Sequence, residues 1–133
     1  MILVDSSVWI DFFRNEPTVQ AEWLDRNLGI ETLVVGDLIL AEVLRGFKDD
    51  RGFNEARRLL AALEQLNLGG EAISVASAKN FRKLRSMGIT VRKPIDTVIA
   101  TRCILDRYEL LQRDRDFDAF EAHLGLQVVS CGV

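Results

Sequence analysis

Histidine and cysteine are scarce in this chain, with one His and two Cys among 133 residues. Cys103 and Cys131 stand in unrelated contexts without metal-ligand spacing, so a four-ligand zinc site is not expected. So few thiols fit a reducing compartment, and the expected location is cytoplasmic. The lone His123 falls late in the chain near Gly125 and reads as a surface or capping residue, not as half of a Ser–His pair. Long apolar runs are also missing. The longest, Thr32 to Leu44, is broken by Asp37 and Glu42, and a membrane span needs roughly 18 apolar residues. Met1 leads straight into Ile-Leu-Val-Asp without a basic region, so no secretory leader is expected. Excess positive charge is absent too: the net charge is −3 and the sequence pI about 5.2. Contact with nucleic acid would therefore require a local basic patch or a bridging metal. Repeats, low-complexity tracts and linkers are lacking. With 48% hydrophobic residues, the chain is expected to form one domain over 1–133.

What is present is an alternation of short apolar strands and helices. Ile2-Leu-Val reads as a buried strand, and Ser6 or Ser7 as the cap of a helix carrying Trp9, Ile10, Phe12 and Phe13. Glu16-Pro17 interrupts the chain, and a second helix, with Val19, Trp23 and Leu24, ends near Gly29. Leu33-Val-Val is a second strand. Asp37 caps a helix from Leu38 to Phe47, and Asp49 to Gly52 reads as a polar turn. Ala56, Leu59, Leu60, Leu63 and Leu66 recur at helical spacing and predict a helix from Asn54 to Leu66. Ile73-Ser-Val is ambiguous between strand and helix lead-in. A basic helix spans Ser77 to Met87. Pro94 fits the first turn of a helix reaching Asp106. Glu109 to Gln112 is a strand, Phe117 to Leu124 a short helix, and Gln127-Val-Val a final strand. Strands that read as continuous apolar runs are buried on both faces. The expected fold is therefore α/β, a mostly parallel sheet of four to five strands flanked by helices in three layers.

Four acidic signatures punctuate this pattern: Asp5 after the first strand, Glu42 within Leu38-Ile-Leu-Ala-Glu42-Val-Leu, Asp96 in Lys93-Pro-Ile-Asp96-Thr, and Asp114 with Asp116 in Leu110-Leu-Gln-Arg-Asp114-Arg-Asp116-Phe. Each has an ordinary explanation. Asp5, Asp114 and Asp116 suit turns or helix caps, and Asp96 suits the first turn of a helix. Glu42 fits least well, since its helix is apolar and its one simple partner is Arg45, three residues on. In open α/β sheets ligands bind beyond the carboxyl ends of strands, where Asp5 and the Asp114–Asp116 pair both fall. Two unit charges ~5 Å apart cost about 3 kcal/mol at an effective dielectric of ~20. Convergence of such acids makes sense around a divalent cation with oxygen ligands, Mg²⁺ or Mn²⁺.

Ile2-Leu-Val-Asp5-Ser-Ser-Val-Trp-Ile-Asp-Phe-Phe resembles the opening of a PIN domain. Leu40-Ala-Glu42-Val-Leu-Arg-Gly46, Asp96-Thr-Val-Ile-Ala and the Asp114–Asp116 segment resemble its later motifs. Their order, spacing and total length are similar to VapC-like toxins of toxin–antitoxin pairs. The resemblance implies a PIN-like fold and a metal-dependent endoribonuclease. Asp5, Glu42, Asp96 and Asp114 would form its acidic centre, with Asp116 assisting and Ser6 or Ser7 supporting Asp5. It implies products with a 5′-phosphate and a 3′-hydroxyl, a VapB-like antitoxin whose helix blocks the site, and a homodimer. Many relatives carry Thr or Ser two residues before the position of Asp114, and here Gln112 stands there.

Lys79, Arg82, Lys83 and Arg85 stud one helix, and Arg92 and Lys93 precede Asp96. These residues are either a solvated face or a track for RNA phosphates. Arg113 and Arg115 interleave with Asp114 and Asp116, positioned to touch phosphate or to neutralise the acids. Trp9 and Phe12 are expected in the core rather than stacked on bases. Two other readings compete. A phosphoryl-transfer domain also has an Asp after strand one, but a phosphatase needs a second Asp where Ser7 stands. A catalytically silent binding module that keeps the PIN fold is the other.

Overall fold

The computed structural model describes residues 1–132. Among them, five strands form one parallel sheet in the order β3-β2-β1-β4-β5. Strands β1 (Ile2–Val4) and β2 (Leu33–Gly36) are buried at every position. They are shielded on both faces, which is why no hydrophobic–polar alternation marks them. β1 pairs Leu3 with Val34 of β2 and Val4 with Leu111 of β4 (Glu109–Leu111). Strand β3 (Glu64–Leu66) lies beside β2, and β5 (Gln127–Val128) beside β4.

Helices α1 (Ser6–Phe13) and α2 (Val19–Asn27) link β1 to β2, and α3 (Asp37–Leu44) and α4 (Asp50–Ala61) link β2 to β3. α1 packs on α2 and α3, and α3 on α4. Helices α5 (Glu71–Ser86) and α6 (Pro94–Asp106) carry the chain from the β3 edge back to β4, and they pack on each other. Because the crossover direction reverses there, the right-handed rule puts this pair on the opposite face from α1–α4. A 3₁₀ turn (Arg115–Phe117) and α7 (Asp118–His123) precede β5. Trp9, Leu24, Ile39 and Leu60 are completely buried against the sheet, each worth about 1.5–3 kcal/mol relative to exposure. Phe13 meets Phe47 edge-on with ring centres 5.6 Å apart, tying α1 to the segment after α3.

Several element boundaries differ from the sequence reading. The helix expected over Asn54 to Leu66 begins at Asp50, within the expected polar turn, and stops at Ala61. Glu64–Leu66 leaves it to pair with β2. Leu63 and Leu66 continue the helical period, so spacing alone favoured a helix. The unpaired edge of β2 decides otherwise, since its backbone groups need partners. The Gln65 amide closes the break by donating to the Leu60 and Leu63 carbonyls, at 2.8 and 3.0 Å. Ile73-Ser-Val forms the first turns of α5, which starts after Gly70 at a φ of 110°. α3 is capped by Gly36, and Asp37 is its first residue. Gln112 lies just outside β4.

Candidate metal centre at the carboxyl edge of the sheet

Between β1 and β4 the strand order changes direction, from 3-2-1 to 4-5. That switch point is where an open parallel sheet leaves a crevice beyond its strand ends. Asp5 sits there. Its backbone N–H donates to the Leu111 carbonyl at 2.9 Å, so β1 and β4 run out side by side. Asp5, rather than Ser6 or Ser7, is the N-cap of α1. Its Oδ2 accepts hydrogen bonds from the Ser7 hydroxyl at 2.6 Å and the Ser7 backbone N–H at 3.2 Å. Ser6 contributes only through its backbone. Asp5 is 4% exposed. Burial lifts its carboxyl above the usual range, the Ser7 hydrogen bonds oppose the shift, and Asp114 adds to it.

Asp96 enters from α6, whose Pro94 opens the helix as its missing N–H allows. It is 5% exposed, and its Oδ2 is buried without a hydrogen-bond partner. Burial first, then the charges of Asp5 and Asp114, push its carboxyl up to about 7, against the pull of Lys93. Asp114 caps the 3₁₀ turn after β4, its Oδ1 accepting from the Asp116 N–H at 2.9 Å. Gln112 takes part here: its Oε1 accepts the Asp114 N–H at 2.5 Å. One carboxylate oxygen each from Asp96, Asp114 and Asp116 lie within 4.8 Å of one another.

Asp5 and Glu42 lie outside this three-way cluster but share its field. Glu42, half-buried on α3, is raised first by burial and then by the charge of Asp5. Its expected partner does not hold it: among the described residues Glu42 forms no ion pair, with Arg45 or any other cation. The donor set is all carboxylate, with one buried oxygen unpartnered. That suits a hard divalent cation and suits zinc poorly.

The neighbouring cations are arranged differently from the sequence reading. Lys93 Nζ lies 3.5 Å from Asp114 Oδ2, and Arg92 Nη2 lies 3.3 Å from Asp116 Oδ1. These two balance the acids. The Lys93 ammonium is accordingly raised, chiefly by Asp114 and then by Asp96. Of the interleaved arginines, Arg113 turns to Asp11 of α1, and Arg115 forms no ion pair among the described residues. Lys79, Arg82, Lys83 and Arg85 are exposed on α5, with the Arg85 guanidinium 5.6 Å from the Phe81 ring centre. Trp9 is fully buried and Phe12 packs against the core, as expected. His123 is exposed at the end of α7. Asp11 had no role in the sequence reading. The signal was there, a carboxylate between Ile10 and Phe12 in an aromatic helix, as uncomfortable as Glu42.

Comparison with known proteins agrees with this architecture. The PIN domain family model matches residues 2–122. VapC ribonuclease Mb1587 of Mycobacterium bovis is 33% identical over 132 residues, covering 98% of each chain. Ribonuclease VapC11 of Mycobacterium tuberculosis aligns with the same identity and coverage. Among solved structures, VapBC2 from Rickettsia felis bound to a promoter DNA fragment superposes with a TM-score of 0.74 at 16% identity, covering 97% of this chain and 98% of that one. A toxin–antitoxin complex from Klebsiella pneumoniae gives 0.72 at 21% identity, covering 99% and 98%. These two likenesses concern the fold. The family match and the end-to-end identity with VapC ribonucleases go further: this chain belongs to the PIN-domain family.

Proposed function

We propose that this chain is the toxin of a toxin–antitoxin pair, a single-domain endoribonuclease that hydrolyses RNA phosphodiester bonds with Mg²⁺ or Mn²⁺. The observation that carries the reading is Asp96. A carboxylate this buried, with an unpartnered oxygen and two more carboxylates within 4.8 Å, is poorly placed unless a cation joins it. Asp96, Asp114 and Asp116 would hold the ion, with Asp5 and Glu42 completing the acidic set from the β1 and α3 sides. A divalent ion there supplies water activation and stabilisation of charge building on the scissile phosphate.

The chain's own groups do the rest. Ser7 orients the Asp5 carboxylate through two hydrogen bonds. Gln112 fixes the backbone at Asp114 by accepting its N–H. Lys93 and Arg92 occupy Asp114 and Asp116 through long, half-exposed contacts that an ion would weaken. Freed from them, both side chains are at hand for RNA phosphates, with Lys83 and Arg115 as further contacts. Arg113 is committed to Asp11 and drops down that list. The solved toxin–antitoxin complexes of like fold support a VapB-like antitoxin as partner; a homodimer as the working form and a cytoplasmic setting belong to the same proposal. Among the described residues no helix is long and apolar enough to cross a membrane.

The test is cleavage of a labelled RNA with Mg²⁺ or Mn²⁺, with EDTA and Asp96→Asn as controls. Cleavage is expected with metal and wild type, and should be lost in both controls. Cleavage that survives both removes the metal mechanism. Expression of the wild type in bacteria should arrest growth, and Asp96→Asn should relieve the arrest.

A further inference from the structure

Asp11 and Arg113 stand 102 positions apart in the chain and meet beside the site. Asp11 lies on α1 and is 5% exposed. The Arg113 Nη2 donates to its Oδ1 at 3.1 Å, and the Arg113 Nε donates to its Oδ2. This is the two-pronged guanidinium–carboxylate geometry, which fixes orientation as well as distance. The Thr18 hydroxyl, at the cap of α2, adds a weak third contact to Asp11 Oδ2 at 3.5 Å.

The position of this pair gives it meaning. α1 carries Asp5 at its head and Asp11 further along the same rigid rod. Arg113 is the residue between Gln112 and Asp114, on the segment that leaves β4 before the 3₁₀ turn. That segment has no strand partner, and its own Gln112–Asp114 contact is local. The Asp11–Arg113 pair therefore ties the segment bearing Asp114 and Asp116 to the helix bearing Asp5. We propose that Asp11 and Arg113 are positioning residues: they set where Asp114 and Asp116 stand relative to Asp5 and Asp96, and so set how well the acidic centre holds its cation. The proposal rests on the metal-dependent reading above.

The experiment is calorimetric titration of Mn²⁺ into wild type, Arg113→Gln, Arg113→Lys and Asp11→Asn, with melting temperatures of the metal-free proteins and RNA cleavage kinetics. Partners that orient metal ligands without touching the metal typically affect affinity by ~10–100-fold. All three variants are expected to lose about tenfold or more in Mn²⁺ affinity, with kcat reduced more than KM is raised. Arg113→Lys is the sharp case. Lys keeps the charge but not the fork, so a positioning role makes it behave like Arg113→Gln. If Arg113 only contacts RNA phosphate, Arg113→Lys keeps wild-type Mn²⁺ affinity and kcat, and the proposal is overturned. Lowered melting temperatures with unchanged Mn²⁺ affinity and kcat reduce the pair to a fold contact and also overturn it. A wild type that takes up no Mn²⁺ overturns the metal reading and this proposal together. A wild type that binds while Arg113→Gln binds equally overturns this proposal alone.

Discussion

Asp96 carries two demands that conflict, a buried position and a negative charge. Its carboxyl is pushed up to about 7, mainly by burial and then by Asp5 and Asp114. An unfolded aspartate titrates near 3.9. Between those values the folded state binds the extra proton, so the stability of metal-free protein falls as pH rises from about 4 to about 7 and then levels. Asp5 and Glu42, also raised, act in the same direction. Removing the charge removes the conflict. At pH 8 with EDTA, Asp96→Asn should melt roughly 3 °C or more above wild type, the shift that about 1 kcal/mol gives in a domain of this size. Thermal scans at pH 5 and pH 8 check it: the gap should shrink at pH 5. A variant less stable than wild type at both pH values would show Asp96 to be a structural cap. At this scale Glu42 was legible, because its sequence neighbours are apolar. Asp11 was equally legible by that criterion, but it acquired a role only when a partner 102 positions away came within reach.

Helix and strand boundaries were decided by contacts that spacing does not reveal. The end of β2 shows how. Gly36 caps α3, and a Cβ built there would fall 2.6 Å from the Leu68 side chain. Leu68 is completely buried, and its N–H donates to Asp37 Oδ1 at 3.0 Å, so it has little freedom to retreat. Gly36→Ala should therefore destabilise the protein by about 1–3 kcal/mol through overpacking. Leu68→Ala should relieve the clash while opening a cavity of its own, so the double variant should lose less than the sum of the singles. Urea titration of the three variants measures both outcomes. Strictly additive losses would show that the close approach at Gly36 has no energetic weight. The β1, β2 and α6 elements were readable from apolar runs and from Pro94. β3 was not, because Leu63 and Leu66 fit a helical period, while it is the pairing of Glu64–Leu66 with the edge of β2 that makes the strand.

At the scale of the whole molecule, the acids of the proposed site come from widely separated stretches of chain. Asp5 follows β1, Glu42 rides on α3, Asp96 lies in the first turn of α6, and Asp114 and Asp116 follow β4. A cation held there binds the folded chain only, so it should stabilise the whole fold. With Mn²⁺ at about 100 times its dissociation constant the gain is about 2.7 kcal/mol. Wild type should show a melting temperature that climbs with Mn²⁺ and returns on adding EDTA, while Asp96→Asn stays flat. An equal climb in both proteins would place the ion elsewhere. The sequence by itself determined the architecture class and the roster of acids. Continuous apolar runs require a sheet covered on both faces, and acids in such surroundings require a counter-charge. Only the tertiary structure decided which acids converge and which cations attend them. Asp96, Asp114 and Asp116 come within 4.8 Å, Lys93 and Arg92 balance them, and Arg113 turns away to Asp11. The reason is geometric. Local patterning sets which face of an element is buried, whereas the register between β1 and β4, and the return of the chain through α6, set which distant side chains share a few ångströms of space.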